Sequence, residues 1–320
     1  VGWDGVPWMV GGGAQHSAEV ARMLAFVAFR GNEGVVGPDD LKVKALAVPG
    51  AGVTVDPGAC SILCRAAGQL HQAYAGRCAT QDTAGIAATG AGAGRSDLVI
   101  ARVEDPWLAG EPWSDPADPA VGPYINTVVI PGVPPTTRRL TDLGLGFSGI
   151  ALARVDIPPS TATVTQAMIA DLRRIANPRR ERDLVVKFPG GDNNISGTAY
   201  GVWPAASQIS VEVPAWATHV RVNITLQGIE HIPGASTPTV AGLKTVYNGS
   251  DYSSENGILV ETVAGRGYYS VAGEHAIPAA HRGTTRTLAA AGVRSGGSGT
   301  FQADYQSIIT IDYEFVEKPA

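Results

Sequence analysis

Three cysteines, Cys60, Cys64 and Cys78, lie within nineteen residues, with His71 among them. Thiolate and imidazole are donors that zinc favours, so the four form a conceivable tetrahedral set. The spacing, C-x3-C-x6-H-x6-C, is not one that structural zinc sites commonly use. Cys60 and Cys64 also share a strand face with Ile62, where cysteine acts as a small buried hydrophobe, and that reading is preferred. The odd number of cysteines argues against a complete disulfide framework.

Oxygen donors and glycine turns give equally incomplete patterns. Asp192, Asn194, Ser196 and Gly197 follow the opening of an EF-hand calcium loop, but its twelfth position is Trp203, which has no carboxylate to give. Gly144-Leu145-Gly146-Phe147-Ser148-Gly149 fits G-x-G-x-x-G, yet it precedes a strand, whereas a dinucleotide site needs the glycines after a strand and opening a helix. P-loop, H-E-x-x-H and G-x-S-x-G patterns do not occur. Carboxylate pairs suited to glycoside hydrolysis exist, Asp115 with Asp118 and Asp251 with Glu255, but any acidic loop supplies such pairs by chance. No catalytic residue, cofactor or metal ligand is assigned, and the chain is expected not to be an enzyme. The N-x-S/T triplets at Asn194, Asn223 and Asn248 are read as chance, because Val1 to Gly13 lack the pattern of a secretory signal.

Binding chemistry offers more. Tyr247, Tyr252, Tyr268 and Tyr269 cluster beside Gly, Ser and Asn, and aromatic faces next to polar groups suit a sugar, whose C–H faces stack on rings while its hydroxyls seek hydrogen bonds. These four are the candidate glycan contacts, against the alternative of ordinary sheet residues. Trp3 and Trp8 lie on a lead-in ending in Gly11-Gly12-Gly13, and are placed at an assembly interface or on their own domain. Ser17 caps an expected helix to about Phe29 with an apolar stripe of Val20, Met23, Leu24 and Val27. A second helix is expected over 165–176, with Met168, Leu172 and Ile175 on its apolar face and Pro178 limiting it. Arg173, Arg174, Arg179, Arg180 and Arg182 follow among Asp171, Glu181 and Asp183, and without interleaved aromatic residues they read as salt-bridging between subunits or domains. Trp3, Trp8, Val20, Leu24, Arg173, Arg179 and Arg180 are thus the candidate assembly residues.

The elements that must position these residues centre on Ile86 to Pro106. A glycine-rich turn with Gly90, Gly92 and Gly94 leads to Arg95 and Asp97 and then to Leu98-Val99-Ile100-Ala101-Arg102-Val103, an apolar run that reads as a strand covered on both faces. Ile150-Ala151-Leu152-Ala153-Arg154-Val155-Asp156-Ile157-Pro158 repeats the phrase, and two like strands closed by proline are expected as neighbours in one sheet. Between them lies an expected surface loop from Asp105 towards Pro135 and a strand at Tyr124–Ile130. Earlier strands are expected at Lys42–Val48, Gly52–Val55, Cys60–Arg65 and Gln72–Arg77. After Pro189-Gly190-Gly191 the pattern turns to clear alternation, with strands at Ser207–Val213, Thr218–Leu226, Thr239–Tyr247, Ile258–Val263, Tyr268–Val271 and Ser307–Phe315.

The glycine turn with R-x-D and a strand ending in A-R-V and an acid resembles the amino-terminal region of many tailed-phage baseplate and fibre proteins. WDGVPWMVGGGAQHSAEVARMLAF and ATVTQAMIADLRRIANPRRER resemble actinobacteriophage minor tail proteins, over roughly residues 1 to 185. The resemblance implies a virion structural protein, assembled in a bacterial cytoplasm as a homotrimer with other tail or capsid proteins as partners and a host-surface glycan as a further one. A capsid decoration protein or head fibre uses the same parts. A polysaccharide depolymerase and a free-standing carbohydrate-binding module are the readings from other classes.

Composition bounds all of these. The 320 residues hold 40 Gly, 22 Pro and 17% charged residues, favouring short strands and turns, while 44% hydrophobic content excludes wholesale disorder. A net charge of −5 disfavours nucleic acid as a partner, and no apolar run reaches the eighteen residues of a membrane span. The expectation is a mainly β chain: an arm at 1–16, a β-rich domain at 17–188 with two short helices, a linker at 189–206, and an antiparallel, jelly-roll-like β-sandwich at 207–320.

Overall fold

A computed structural model describes residues 17–109, 111, 122, 124–195, 197–236, 238–254 and 257–319. Trp3, Trp8, Asp115, Asp118, Ser196 and Glu255 lie outside the described residues. The protein is mainly β, as its turn-rich composition requires, and divides between Pro178 and Arg179 into two compact units.

In the first unit, α1 (Ala18–Ala28) begins at Ser17, whose Oγ accepts a hydrogen bond from the Val20 amide at 3.3 Å. Strands follow at Gly34–Val35 (β1), Val43–Ala45 (β2), Gly52–Val55 (β3), Gly58–Leu63 (β4), Ala73–Cys78 (β5), Asp82–Gly85 (β6), Arg95–Val103 (β7), Ile125–Val133 (β8), Gly149–Ile157 (β9) and Ile169–Asp171 (β10). They form three antiparallel sheets, β1-β4-β5, β2-β3-β6 and β10-β9-β7-β8. The two repeated phrases, β7 and β9, are adjacent antiparallel strands. On one side of their sheet Val99, Val103, Leu152 and Val155 join the main core with Val53, Val55 and Ile62. On the other side Leu98 and Ile100 pack with Val133 and Leu140. Burial on both faces explains why β7 carries an apolar run rather than an alternation.

The expected helix over 165–176 is not formed. A single 3-10 turn at Gln166–Met168 leads directly into β10, where Ile169 pairs with Val155 and Asp171 with Ala153. The Leu172 amide then donates to the Leu152 carbonyl at 3.0 Å, and Ile175 bridges Val35 in parallel. Hydrogen-bonding partners offered by β9 and β1 override an apolar spacing that also fits a helix.

The second unit contains β11 (Arg180–Lys187), β12 (Asn193–Asn194), β13 (Gly201–Val202), β14 (Ile209–Glu212), β15 (His219–Ile232), β16 (Thr239–Tyr247), β17 (Asp251–Tyr252), β18 (Gly257–Glu261), β19 (Gly265–Ala276), β20 (Thr285–Gly296), β21 (Thr300–Ala303) and β22 (Ile308–Val316). Residues 189–206 therefore contribute β12 and β13 to this unit, and β11 precedes them in it. Eight strands build two antiparallel sheets, one ordered β11-β22-β15-β19 and the other β14-β20-β16-β18. Taken in chain order these eight alternate between sheets, apart from the hairpin β16–β18, and the first and last lie side by side. That ordering is the double Greek key of a jelly roll. Val220, Val222, Ile224 and Leu226 of β15 face Leu243 and Tyr247 of β16 and Leu288 of β20 in one buried core.

Candidate functional site

The sandwich has two outer faces, one with a charged lattice beside the exposed Leu184, Val186 and Tyr268, the other with an apolar patch. On the β11-β22-β15-β19 face, alternation turns Arg182, Arg221, Glu274, Asp312 and Glu314 outwards. They form a lattice: Arg182 Nη2 meets Asp312 Oδ2 at 2.5 Å, Arg221 meets Glu274 at 3.0 Å and Glu314 at 3.3 Å, and Lys318 also pairs with Glu274. All of these but Lys318 line an open cleft of about 680 Å3. Arg182 holds the Asp312 carboxyl below its usual range through a direct hydrogen bond.

The other face has an apolar patch beside the polar Lys244, Ser210 and Glu212. Val246, Ala289 and Ala291 are covered by Tyr200, whose hydroxyl lies 2.5 Å from where a side chain on Gly242 would begin, so only glycine admits the ring there. Towards the edge, Ile258 and Val260 of β18 are 70% and 53% exposed, and Val263 is exposed beyond them. Exposed apolar side chains grouped on a sheet edge mark a surface suited to a partner.

The four candidate tyrosines do not form one patch. Tyr247 is buried, its ring beside His275 and His281 and its hydroxyl 3.2 Å from His281 Nδ1, so it offers no face to a glycan. Tyr268 is exposed while Tyr269, next along β19, turns inwards against Phe301 and donates to Glu261 at 3.1 Å. Burial, with Glu261 next in importance, pushes the Tyr269 hydroxyl pKa well up. Tyr252 is exposed, and its hydroxyl donates to the Tyr200 carbonyl at 3.3 Å, bringing the two rings to 6.0 Å. Lys244 Nζ lies 5.2 Å from the Tyr200 ring centre. The aromatic surface is thus Tyr200 with Tyr252, and Tyr200 carried no signal in sequence because it stands 47 residues before the cluster.

The candidate assembly residues divide similarly. Val20 is buried and packs α1 within its own unit, where Phe26 stacks edge-on to His71 at 5.4 Å and Arg22 lies 5.5 Å from the Tyr74 ring centre. Leu24 and Val27 are left 41% and 63% exposed. Arg173 is not available to a partner: its buried guanidinium grips Asp171 at 2.7 Å and donates to the Pro38 and Asp40 carbonyls at 3.0 and 2.7 Å. Arg179 pairs with Glu317 at 2.5 Å and lies over Trp216, and Arg180 approaches Glu314 at 3.7 Å. These arginines close bonds within their own units.

One polar group has the order of a catalytic triad. His275 Nδ1 lies 3.1 Å from Asp251 Oδ2, and its Nε2 lies 2.9 Å from Thr245 Oγ1. Thr245 is fully buried, so no substrate reaches it. His231 makes a matching contact, Nε2 to Thr239 Oγ1 at 2.9 Å, with Nδ1 donating to the Val263 carbonyl at 2.6 Å. Both threonines belong to β16 and both histidines to the opposite sheet, so the pairs bolt the sandwich together and satisfy four buried polar groups. The cysteines are free; burial pushes the Cys60 thiol up to about 12 and raises Cys78. Among the described residues no group of three His, Cys, Asp or Glu side chains is placed to hold a metal. No helix among them is long and apolar enough to cross a membrane.

No protein-family model and no curated protein matches this chain. Among solved structures, the infectious bursal disease virus Gx strain aligns over 90% of this chain and 76% of its own, at 12% identity and TM-score 0.22. The VP2 subviral particle of infectious bursal disease virus aligns over 90% and 74%, at 12% identity and TM-score 0.25. Virus-derived T=1 particles align over 90% and 72%, at 14% identity and TM-score 0.23. Likeness at this level establishes no common family.

Proposed function

We propose that this chain is a structural subunit of a virus particle, a minor tail protein of a tailed phage that self-associates and presents its jelly roll to the host surface. The observation that carries the reading is the second unit's topology, a double Greek key with a charged lattice on one outer face and an exposed apolar patch on the other. Jelly rolls build viral coats and lectin-like domains, and an apolar patch with exposed Ile258 and Val260 suits burial against a neighbouring subunit. The exposed Leu24 and Val27 stripe on α1 gives the first unit a second surface of the same kind. Several weak glycan contacts held together in an oligomer reach useful avidity without any one site being tight, and Tyr200 with Tyr252 is the surface for them. Fold alone does not fix this role, so it rests on these surfaces and on the sequence phrases of residues 1 to 185.

The buried position of Thr245 removes from consideration the triad-like group found among the described residues, and we read the chain as non-enzymatic. Antibody raised against the purified chain and applied to intact particles tests the assignment. Decoration of tail tips is expected; decoration of heads would replace the tail reading with a capsid decoration protein, and undecorated, chain-free particles would contradict a virion role.

A further inference from the structure

Among the arginines of the first unit, Arg30 and Arg77 are exposed and form no ion pair with the described residues, and the other nine fall into two groups. Arg22, Arg65, Arg95, Arg102, Arg154 and Arg173 each pair with a carboxylate. Arg138, Arg139 and Arg174 are exposed, form no ion pair with any of the described residues, and all three line one cavity of about 270 Å3. Two carboxylates lie close to them, and the backbone amides of Arg138 and Arg139 first, with the charges of Arg139 and Arg174 besides, hold the Asp142 carboxyl below its usual range. Glu33 is held by Arg65 through two bonds of 2.9 and 2.7 Å. Asp142 accepts the backbone amides of Arg138 and Arg139, both at 2.9 Å, which fixes the turn that carries these side chains.

The cavity's backbone is also held in place. Gly34 has φ +142°, and a side chain there would begin 2.1 Å from the Arg174 carbonyl oxygen. That close approach lets the Val35 amide donate to Arg174 at 2.8 Å and the Ala176 amide to Val35 at 2.8 Å, so Arg174 is set on a rigid bridge. Gly31, Gly34 and Gly149 line the same cavity, and Leu63, Leu140 and Ile150 give it an apolar portion.

We infer that this cavity is a binding site for a phosphate ester, gripped by Arg138, Arg139 and Arg174. Three guanidinium forks supply more donors and more charge than one carboxylate can use, whereas a phosphate monoester brings close to two negative charges and three acceptor oxygens. The apolar portion of the lining would take the carrier of the phosphate. This site is independent of the tyrosine surface and of the virion reading.

The test is calorimetric titration of the full chain with inorganic phosphate and with glycerol phosphate, using acetate and glycerol as controls. Saturable binding of both phosphates, weakened by salt, and no binding of the controls are expected. Arg138→Gln, Arg139→Gln and Arg174→Gln should each weaken binding about tenfold or more, the loss of one charge-assisted contact, without moving the unfolding midpoint. Arg77→Gln, on a different exposed surface, should leave it unchanged. Tighter binding of glycerol phosphate supports an ester as ligand; equal binding assigns the site to free phosphate. Absence of saturable phosphate binding, or binding indifferent to the three substitutions, would overturn the inference.

Discussion

Asp97 shows how much a single spacing can specify. Its carboxylate is buried, and accepts from Arg95 Nε at 2.7 Å and Nη2 at 2.8 Å and from the Gly132 amide at 3.0 Å. Arg154 and Asp156 repeat the i, i+2 clamp on the neighbouring strand at 2.7 and 2.8 Å, on the opposite face, where Ser96 Oγ also donates to Asp156 at 2.6 Å. Asp97→Ala leaves the Gly132 amide without its acceptor and Arg95 with only the Ala87 and Ala88 carbonyls, and should cost about 2 kcal/mol in urea unfolding; Asp156→Ala, more exposed, should cost clearly less. A second residue-scale expectation concerns pH. Burial first, and Lys318 second, lower the His219 pKa below its ordinary 6.5 in the folded state. The unfolded chain therefore binds a proton more readily, so the stability His219 contributes is present above its ordinary value and falls as pH drops through it. Melting temperature followed from about pH 7.5 to about pH 5.5 should fall less steeply in His219→Gln than in the parent chain. The R-x-D phrase was legible in sequence because both partners sit on one strand. The phosphate cavity was not, since Arg138, Arg139 and Arg174 are gathered by turns and bridges that no local pattern encodes.

At the scale of elements, alternation found what it could. Thr239–Tyr247 is a strand with the bounds the sequence gives it, and the strand begun at Thr218–Leu226 runs on from His219 to Ile232. The longest strand it missed is β20, where Ala289, Ala290 and Ala291 are all buried but carry little β preference. Their small size is what the position demands, because Tyr200 lies over Ala289 and Ala291 on one side and the sandwich core takes Ala290 on the other. β11 was hidden for a different reason, its charges reading as a solvated stretch until β22 supplies the partners Asp312 and Glu314. The jelly-roll topology makes β15 its keystone, paired with β19 on one edge and with β22 on the other. Ile224, fully buried at its centre between Val271 and Ile311, should cost about 3 kcal/mol as Ile224→Ala. An exposed partner on the same strand, Asn223→Ala, should change the urea midpoint little by comparison.

For the whole molecule, the account rests on surfaces left uncovered. Ion pairs are closed inside each unit, while apolar side chains remain open on α1 and on β18. A chain built to stand alone has little use for Val27 at 63% and Ile258 at 70% exposure, whereas a subunit of an assembly buries them. The most direct measurement is the native mass of the purified, tag-free chain by light scattering across a wide range of concentrations, alongside the Leu24→Glu, Val27→Glu double variant. The account predicts a mass of several chains that holds on dilution, three if the tail-protein resemblance extends to symmetry, and a shift towards one chain in the double variant with its unfolding midpoint preserved. A mass of one chain at every concentration would contradict self-assembly and leave a solitary binding domain in its place.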